Sequence, residues 1–126
     1  MANRLKVVIV GAGFGGLNAA LEAYRLPVDI TVIDRKNHHT FQPLLYQVAT
    51  AGLSPGEIAA PVRWILRNRS NIEVILEEVV DFDLSAKTVI TSDHAVDFDF
   101  LIVASGATHA YFGHDEWRPL APGLKT

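Results

Sequence analysis

The sequence contains no cysteine. Disulfides, thiolate metal sites, iron–sulfur ligation and cysteine nucleophiles are therefore excluded, and the composition fits a reducing compartment. It also lacks any apolar run near the ~18 residues that a membrane-spanning helix needs. An excess of positive charge is missing too. Eleven Lys and Arg against 14 Asp and Glu give a formal net charge of −3, which weighs against nucleic acid or an acidic membrane surface as a partner. Arg4 and Lys6 ahead of Val7–Leu17 imitate a signal peptide. That run is rich in glycine and β-branched residues, which suits a strand and turn better than a helical leader.

What is present is one domain's length, 126 residues, with 49% apolar content, enough for a packed core. "LKVVIV" (Leu5 to Val10) reads as a buried parallel strand stopped by Gly11. Leu17, Ala20, Leu21 and Tyr24 recur at helical spacing, and Pro27 closes that helix. "VDITVIDR" predicts a second strand ending at Asp34. "HHTFQPLLYQVATAGLSPGE" follows, broken by proline and too apolar for an ordinary loop. Ser54-Pro55-Gly56-Glu57 has capping-box spacing ahead of Ile58, Val62, Ile65 and Leu66, so a helix is expected there, bent or restarted at Pro61. "NIEVILEEVVDFDL" and "AKTVITSD" predict strands joined near Ser85-Ala86, and "FDFLIVASG" a last buried strand stopping at Gly106. The tail from Ala107 closes no element.

"GAGFGG" places Gly11, Gly13 and Gly16 in the G-x-G-x-x-G pattern, directly after a strand and at the start of a helix. Alone the pattern is weak, but here strand, glycine turn, helix, strand and a terminal acid all occur in order. Asp34 stands 18 positions after Gly16, close to the spacing of about 20 seen in dinucleotide sites. Gly11 permits the tight turn, Gly13 lets backbone approach a pyrophosphate, and Gly16 lets helix pack on strand. The helix N-terminus offers amides and partial positive charge to the diphosphate. Asp34 would accept hydrogen bonds from ribose hydroxyls and repel a 2′-phosphate. Arg35 would pair with such a phosphate, lie over an adenine, or simply be solvated. These residues predict a dinucleotide site without specifying the dinucleotide.

Other patterns are set aside. Gly52-Leu53-Ser54-Pro55-Gly56 matches G-x-S-x-G, but a nucleophile elbow needs an amide donor after the serine, and Pro55 has none. His38 with His39, and His109 with His114, have no metal spacing. Arg63 and Arg67 share a helix face that is expected to be solvated. Val28, Thr50 and Asp115 stand four places after the three tyrosines, so no Tyr–Lys acid/base pair of the short-chain dehydrogenase kind is present.

"VVIVGAGFGGLNAA", "VIDRKNHHTFQPLLYQVATAGLSPGEIAAPVR" and "FDFLIVASGATHAYFGHDEW" together resemble the N-terminal part of type II NADH dehydrogenases, with the stretch from His38 to Arg63 the most specific. These are single-subunit flavoenzymes that pass electrons from NADH to a quinone without pumping protons. The resemblance implies an α/β fold: the Rossmann-like parallel sheet of a two-dinucleotide-binding flavoprotein, incomplete, with a small antiparallel β insertion. Residues 1–126 would be a partial FAD-binding domain, lacking the NADH-binding domain and the C-terminal quinone and membrane region, and inactive alone. The first glycine motif would hold FAD through Gly11, Gly13, Phe14, Gly15 and Gly16, with Asp34 and Arg35 at the ribose end. Phe41, Gln42, Pro43, Leu44 and Leu45 would form an apolar wall beside the flavin. Val79 would touch adenine through its backbone, and Ala104, Ser105 and Gly106 would match the family's Ala-Thr-Gly turn, with serine for threonine. The flavin does the chemistry, so no catalytic side chain and no metal ligand is assigned. In the whole enzyme the partners would be NADH and a quinone, with no nucleic acid. Peripheral attachment to the cytoplasmic face of the inner membrane would come from the missing C-terminal part, and a homodimer is compatible. Two alternatives stay open: another FAD/NAD(P)-dependent reductase, and a non-catalytic dinucleotide-binding module or remnant. Sulfide:quinone and glutathione-reductase-like members need redox cysteines, often within the first half, and there are none here.

Overall fold

The computed structural model describes residues 3–124. Its elements in chain order are β1 (Leu5–Val10), α1 (Phe14–Ala23), β2 (Val28–Asp34), β3 (His38–Thr40), α2 (Leu45–Ala49), β4 (Ala59–Pro61), α3 (Val62–Leu66), β5 (Ile72–Leu76), β6 (Val79–Asp83), β7 (Thr88–Thr91), β8 (Ala95–Asp97) and β9 (Phe100–Val103). Short 3₁₀ turns occupy Gln42–Leu44, Pro55–Glu57 and Asp115–Trp117. The chain divides into two compact units, Met1–His39 with Ala60–Gly106, and Thr40–Ala59 with Ala107–Thr126.

The first unit is built on a four-stranded sheet in the order β5-β2-β1-β9, all pairs parallel. Side chains alternate across a strand, and at β1 and β2 both faces are covered. Val7 and Ile9 of β1, with Ile30 and Val32 of β2, pack on Leu17 and Ala20 of α1 and on Val62 and Leu66 of α3. Val8, Val10 and Ile33 point the other way, onto Val89 and Phe98. This two-sided burial is why β1 is a continuous apolar run rather than an alternating one. Each fully buried side chain such as Ile9, Val32 or Ile33 contributes roughly 1.5–3 kcal/mol relative to exposure.

The antiparallel insertion is a three-stranded sheet, β6-β7-β8, with an irregularity in register between Val79 and Asp81. The sequence pattern predicts one strand from Asn71 to Leu84; the structure breaks it after Leu76 and gives the halves to different sheets. The break has a cause. Glu77 donates its N–H to Asp34 O at 3.1 Å and Glu78 O accepts from Ser92 N–H at 2.9 Å, so the backbone switches partners at that point.

The helix expected from Ser54 is also divided. A 3₁₀ turn at Pro55–Glu57 is followed by β4, and a helix restarts at Val62, directly after Pro61. Glu57 carboxylate accepts from Ser54 N–H at 2.6 Å, so the capping sequence closes a single turn. Paired β3 and β4 form a two-stranded sheet. Helix α1 stops at Ala23; Arg25 N–H to Glu22 O and Leu26 N–H to Ala23 O carry the chain on to Pro27 as turns. Asn71 Nδ2 donates to Tyr24 O and Val28 O, satisfying carbonyls on both sides of that connection.

In the second unit, Phe41 N–H donates to Ile58 O at 2.8 Å, and Gly52 and Leu53 N–H share Gln47 O after α2. In the tail His114 stacks on Trp117 with centroids 4.2 Å apart, and Tyr111 hydroxyl donates to Ala121 O. The tail therefore has local structure that its composition did not predict.

Candidate functional site

The glycine loop is shaped by close backbone approaches. Gly11 has φ +99°, and a Cβ there would lie 2.3 Å from Ala104 O. A Cβ at Gly16 would lie 1.7 Å from Gly11 O. Neither neighbour is a flexible side chain, so both positions demand glycine. Gly13 differs: nothing stands within 4 Å of where its Cβ would be. Gly13 is also the N-cap of α1, which carries no side-chain cap and no acidic residue in its first turn. No acidic residue of its own first turn offsets the partial positive charge of that helix end.

Asp34 ends β2 and turns toward this loop. Its Oδ2 accepts Ala12 N–H at 2.6 Å and its Oδ1 accepts Lys36 N–H at 2.7 Å. Each carboxylate oxygen has a second lone pair, so ribose hydroxyls can still be accepted. Beside it lies a cleft of about 300 Å³ lined by Gly11, Asp34, Arg35, Val79 and Ser105 among the predicted residues, together with Val10, Ile33, Glu77 and Glu78. Arg35 pairs with Glu78 at 3.9 Å, both side chains about two-thirds exposed, a pair worth little in energy. Ala104 N–H donates to Val10 O at 2.7 Å, and its methyl lies 3.6 Å from the Cβ direction of Gly15. The Ala104–Gly106 turn thus backs the glycine loop, with Gly106 at φ +75°.

Gln42 and Pro43 are exposed and Leu44 is half-buried, in a 3₁₀ turn of the second unit. Phe41 is 43% exposed. Phe14, at the first position of α1, meets His39 edge-on with centroids 5.0 Å apart.

Two residues that the sequence did not single out belong to this neighbourhood. His39 Nδ1 lies 3.0 Å from Ala12 O, on the loop itself. Glu77 is nearly enclosed, its side chain 12% exposed; Thr91 hydroxyl donates to it and His94 Nδ1 lies 2.6 Å away. The Thr91 hydrogen bond, then those with His94, hold the Glu77 carboxyl below its ordinary range against the opposing effect of burial. A larger open groove of about 720 Å³, lined by Lys6, Asp29, Arg63, Glu73 and Asp97 among others, contains none of the predicted residues. Among the described residues no group of three or more His, Cys, Asp or Glu side chains could hold a metal ion, and no helix is long and apolar enough to cross a membrane.

Residues 5–121 match the pyridine nucleotide-disulphide oxidoreductase family. Two type II NADH:quinone oxidoreductases of Mycobacterium tuberculosis are similar along the whole chain: Ndh, 49% identical over 98% of this chain, and NdhA, 51% identical over 100% of it. The chain spans only 27% and 28% of those relatives' lengths. Among solved structures, sulfide:quinone oxidoreductase of Aquifex aeolicus matches 89% of this chain with a TM-score of 0.81 and 27% identity, over 27% of its own chain. NDH2 of Plasmodium falciparum, solved in complex with NADH, matches 88% with a TM-score of 0.77 and 28% identity, over 24% of its own chain. A glycine loop clamped between the first and last strands, an aspartate turned toward it and these likenesses agree: the chain belongs to the pyridine nucleotide-disulphide oxidoreductase family.

Proposed function

We propose that residues 1–126 are the FAD-binding N-terminal part of an NADH:quinone oxidoreductase. The observation that carries this reading is the glycine loop at the N-terminus of α1, open at the Gly13 Cβ position and held by the Asp34 carboxylate at Ala12 N–H. The likeness to the mycobacterial enzymes along the whole chain supports the choice of reaction.

The amides at the start of α1 would receive the diphosphate, with Gly13 giving it room. Asp34 would accept the ribose hydroxyls, and its negative charge disfavours a 2′-phosphate. Val79 would meet the adenine through its backbone, with Arg35 close by at the cleft. Gln42, Pro43 and Leu44 of the second unit are proposed as flavin contacts, and Ala104, Ser105 and Gly106 of the first unit are proposed as cofactor contacts by resemblance. When bound, FAD supplies hydride acceptance from reduced nicotinamide and electron delivery to a quinone. No side chain of this chain is required as acid or base for that chemistry. NADH, the quinone, attachment to the cytoplasmic face of the inner membrane and a homodimer belong to the reading of the whole enzyme.

The test is to purify the chain, add FAD and measure bound flavin by visible absorption, then assay NADH oxidation with a quinone. Flavin uptake without steady-state turnover is expected. Nicotinamide binding without flavin would replace this reading with a plain dinucleotide module. Sulfide:quinone reductase chemistry is the second reading, favoured by the structural likeness; the absence of cysteine in this chain argues against it, and sulfide-dependent quinone reduction would restore it.

A further inference from the structure

Ala12 is nearly inaccessible, 2% exposed, at the bend of the glycine loop, and its two backbone groups are held by side chains from different places. Its N–H donates to Asp34 Oδ2 at 2.6 Å, and its carbonyl lies 3.0 Å from His39 Nδ1. A carbonyl has no hydrogen to give, so Nδ1 must be the donor. The ring is steered by its edge contact with Phe14 at an interplanar angle of 84°.

Among the described residues no peptide bond is cis, and in a planar trans peptide the C=O and the next N–H point in opposite directions. Fixing Ala12 O on the His39 side therefore aims Gly13 N–H away from His39. Gly13 is the N-cap of α1, and its Cβ direction is open. A hydrogen bond accepted by the carbonyl also polarises the peptide and strengthens its N–H as a donor. Asp34 fixes the preceding peptide plane in the same way, through the Ala12 N–H. The two side chains hold consecutive peptides of the loop before an anion arrives, which lowers the ordering cost of binding.

We propose that His39 is a positioning residue of the dinucleotide site: by donating Nδ1–H to Ala12 O it aims the Gly13 amide at the diphosphate. This rests on the FAD reading above for the identity of the ligand, but not for the geometry of the clamp. It also requires the Nδ1-protonated form of the ring, whereas a free histidine side chain in water prefers its neutral proton on Nε2.

Two measurements on the full chain test it. Nitrogen-15 NMR of the histidine rings should find His39 protonated at Nδ1 without added ligand; a ring bare at Nδ1 overturns the proposal. Titration with FAD then compares His39→Phe, which keeps a ring against Phe14 but no donor, with His39→Asn, which keeps a donor near the Nδ1 position but no ring. His39→Phe is expected to weaken FAD binding roughly fivefold or more, the effect of one lost hydrogen bond, and His39→Asn to stay within about twofold of the parent. Equal affinity for His39→Phe and the parent overturns the proposal, as does a His39→Asn variant as weak as His39→Phe. A parent chain that takes up no FAD overturns the FAD reading instead, and the NMR result still decides the clamp.

Discussion

Gly13 and Gly16 are three residues apart and make opposite demands on their surroundings. A methyl at Gly16 would press on the carbonyl of Gly11, whereas a methyl at Gly13 would meet no protein atom. Gly16→Ala is therefore expected to destabilise the fold by ~3 kcal/mol or more, since backbone must move to admit it. Gly13→Ala is expected to cost no more than about 1 kcal/mol, the difference between glycine and alanine as N-caps, yet to weaken dinucleotide binding because the methyl enters the ligand's space. Denaturant unfolding of both variants, with FAD titration of the folded one, separates the two roles. Asp34→Ala leaves two backbone N–H groups without their carboxylate acceptor and should cost ~1–3 kcal/mol before any ligand is added, read from the same unfolding curves. The three glycines and the aspartate were legible in the sequence because their spacing within one strand–turn–helix–strand unit carries the signal. His39 was not: it is one of two adjacent histidines with no motif, and only the path of β3 brings its ring to Ala12.

At the scale of elements, Glu77 holds the junction where the strand pattern splits. It ends the parallel sheet through its backbone and binds the β7–β8 turn through its carboxylate, at Thr91 and His94. Its carboxyl is held lower in the fold than in the unfolded chain, first by the Thr91 hydroxyl. The stability this confers is fully present above the unfolded carboxylate range, and is lost as pH falls through the lower folded value. Glu77→Gln should therefore lower the urea midpoint at neutral pH, and by less at an acidic pH below the ordinary carboxylate pKa of about 4.3. A constant difference between the two midpoints at both pH values would mean that the carboxylate's charge plays no part. The break at Glu77–Glu78 was hidden in the sequence because apolar periodicity continues across it. Which sheet a residue joins is decided by partners such as Asp34 and Ser92, far away along the chain. The short β4 between the 3₁₀ turn and α3 was hidden for the same reason. Buried strands β1 and β2, by contrast, were readable as strands because covering both faces leaves an uninterrupted apolar run.

On the scale of the molecule, β9 pairs only with β1 among the described residues, and Phe100 and Ile102 on one face and Val103 on the other are 57%, 37% and 59% exposed. An exposed apolar edge strand is a template for pairing with another chain. The 126-residue chain is expected to self-associate with rising concentration, and Phe100→Lys to suppress this while leaving FAD binding unchanged. Sedimentation at several concentrations, with and without the substitution, is the measurement; a monomeric parent chain would show that this edge is blunted in another way. The parallel sheet and the antiparallel insertion followed from the sequence and its family resemblance. The division into two units did not, because it depends on where the tail from Ala107 folds, and that segment carries no periodic signal.

The glycine loop lies against Ala104 at Gly11, directly after β9, the last strand among the described residues. That strand is held to the first by Lys6 N–H on the Asp99 carboxylate, 93 residues away in sequence, and by Asp99 N–H on Lys6 O. A ribosome releases the amino end first, yet the glycine loop lacks its Ala104 neighbour until β9 has emerged and docked. On the proposed reading, a nascent chain halted before Ala104 would have the fingerprint without the grip.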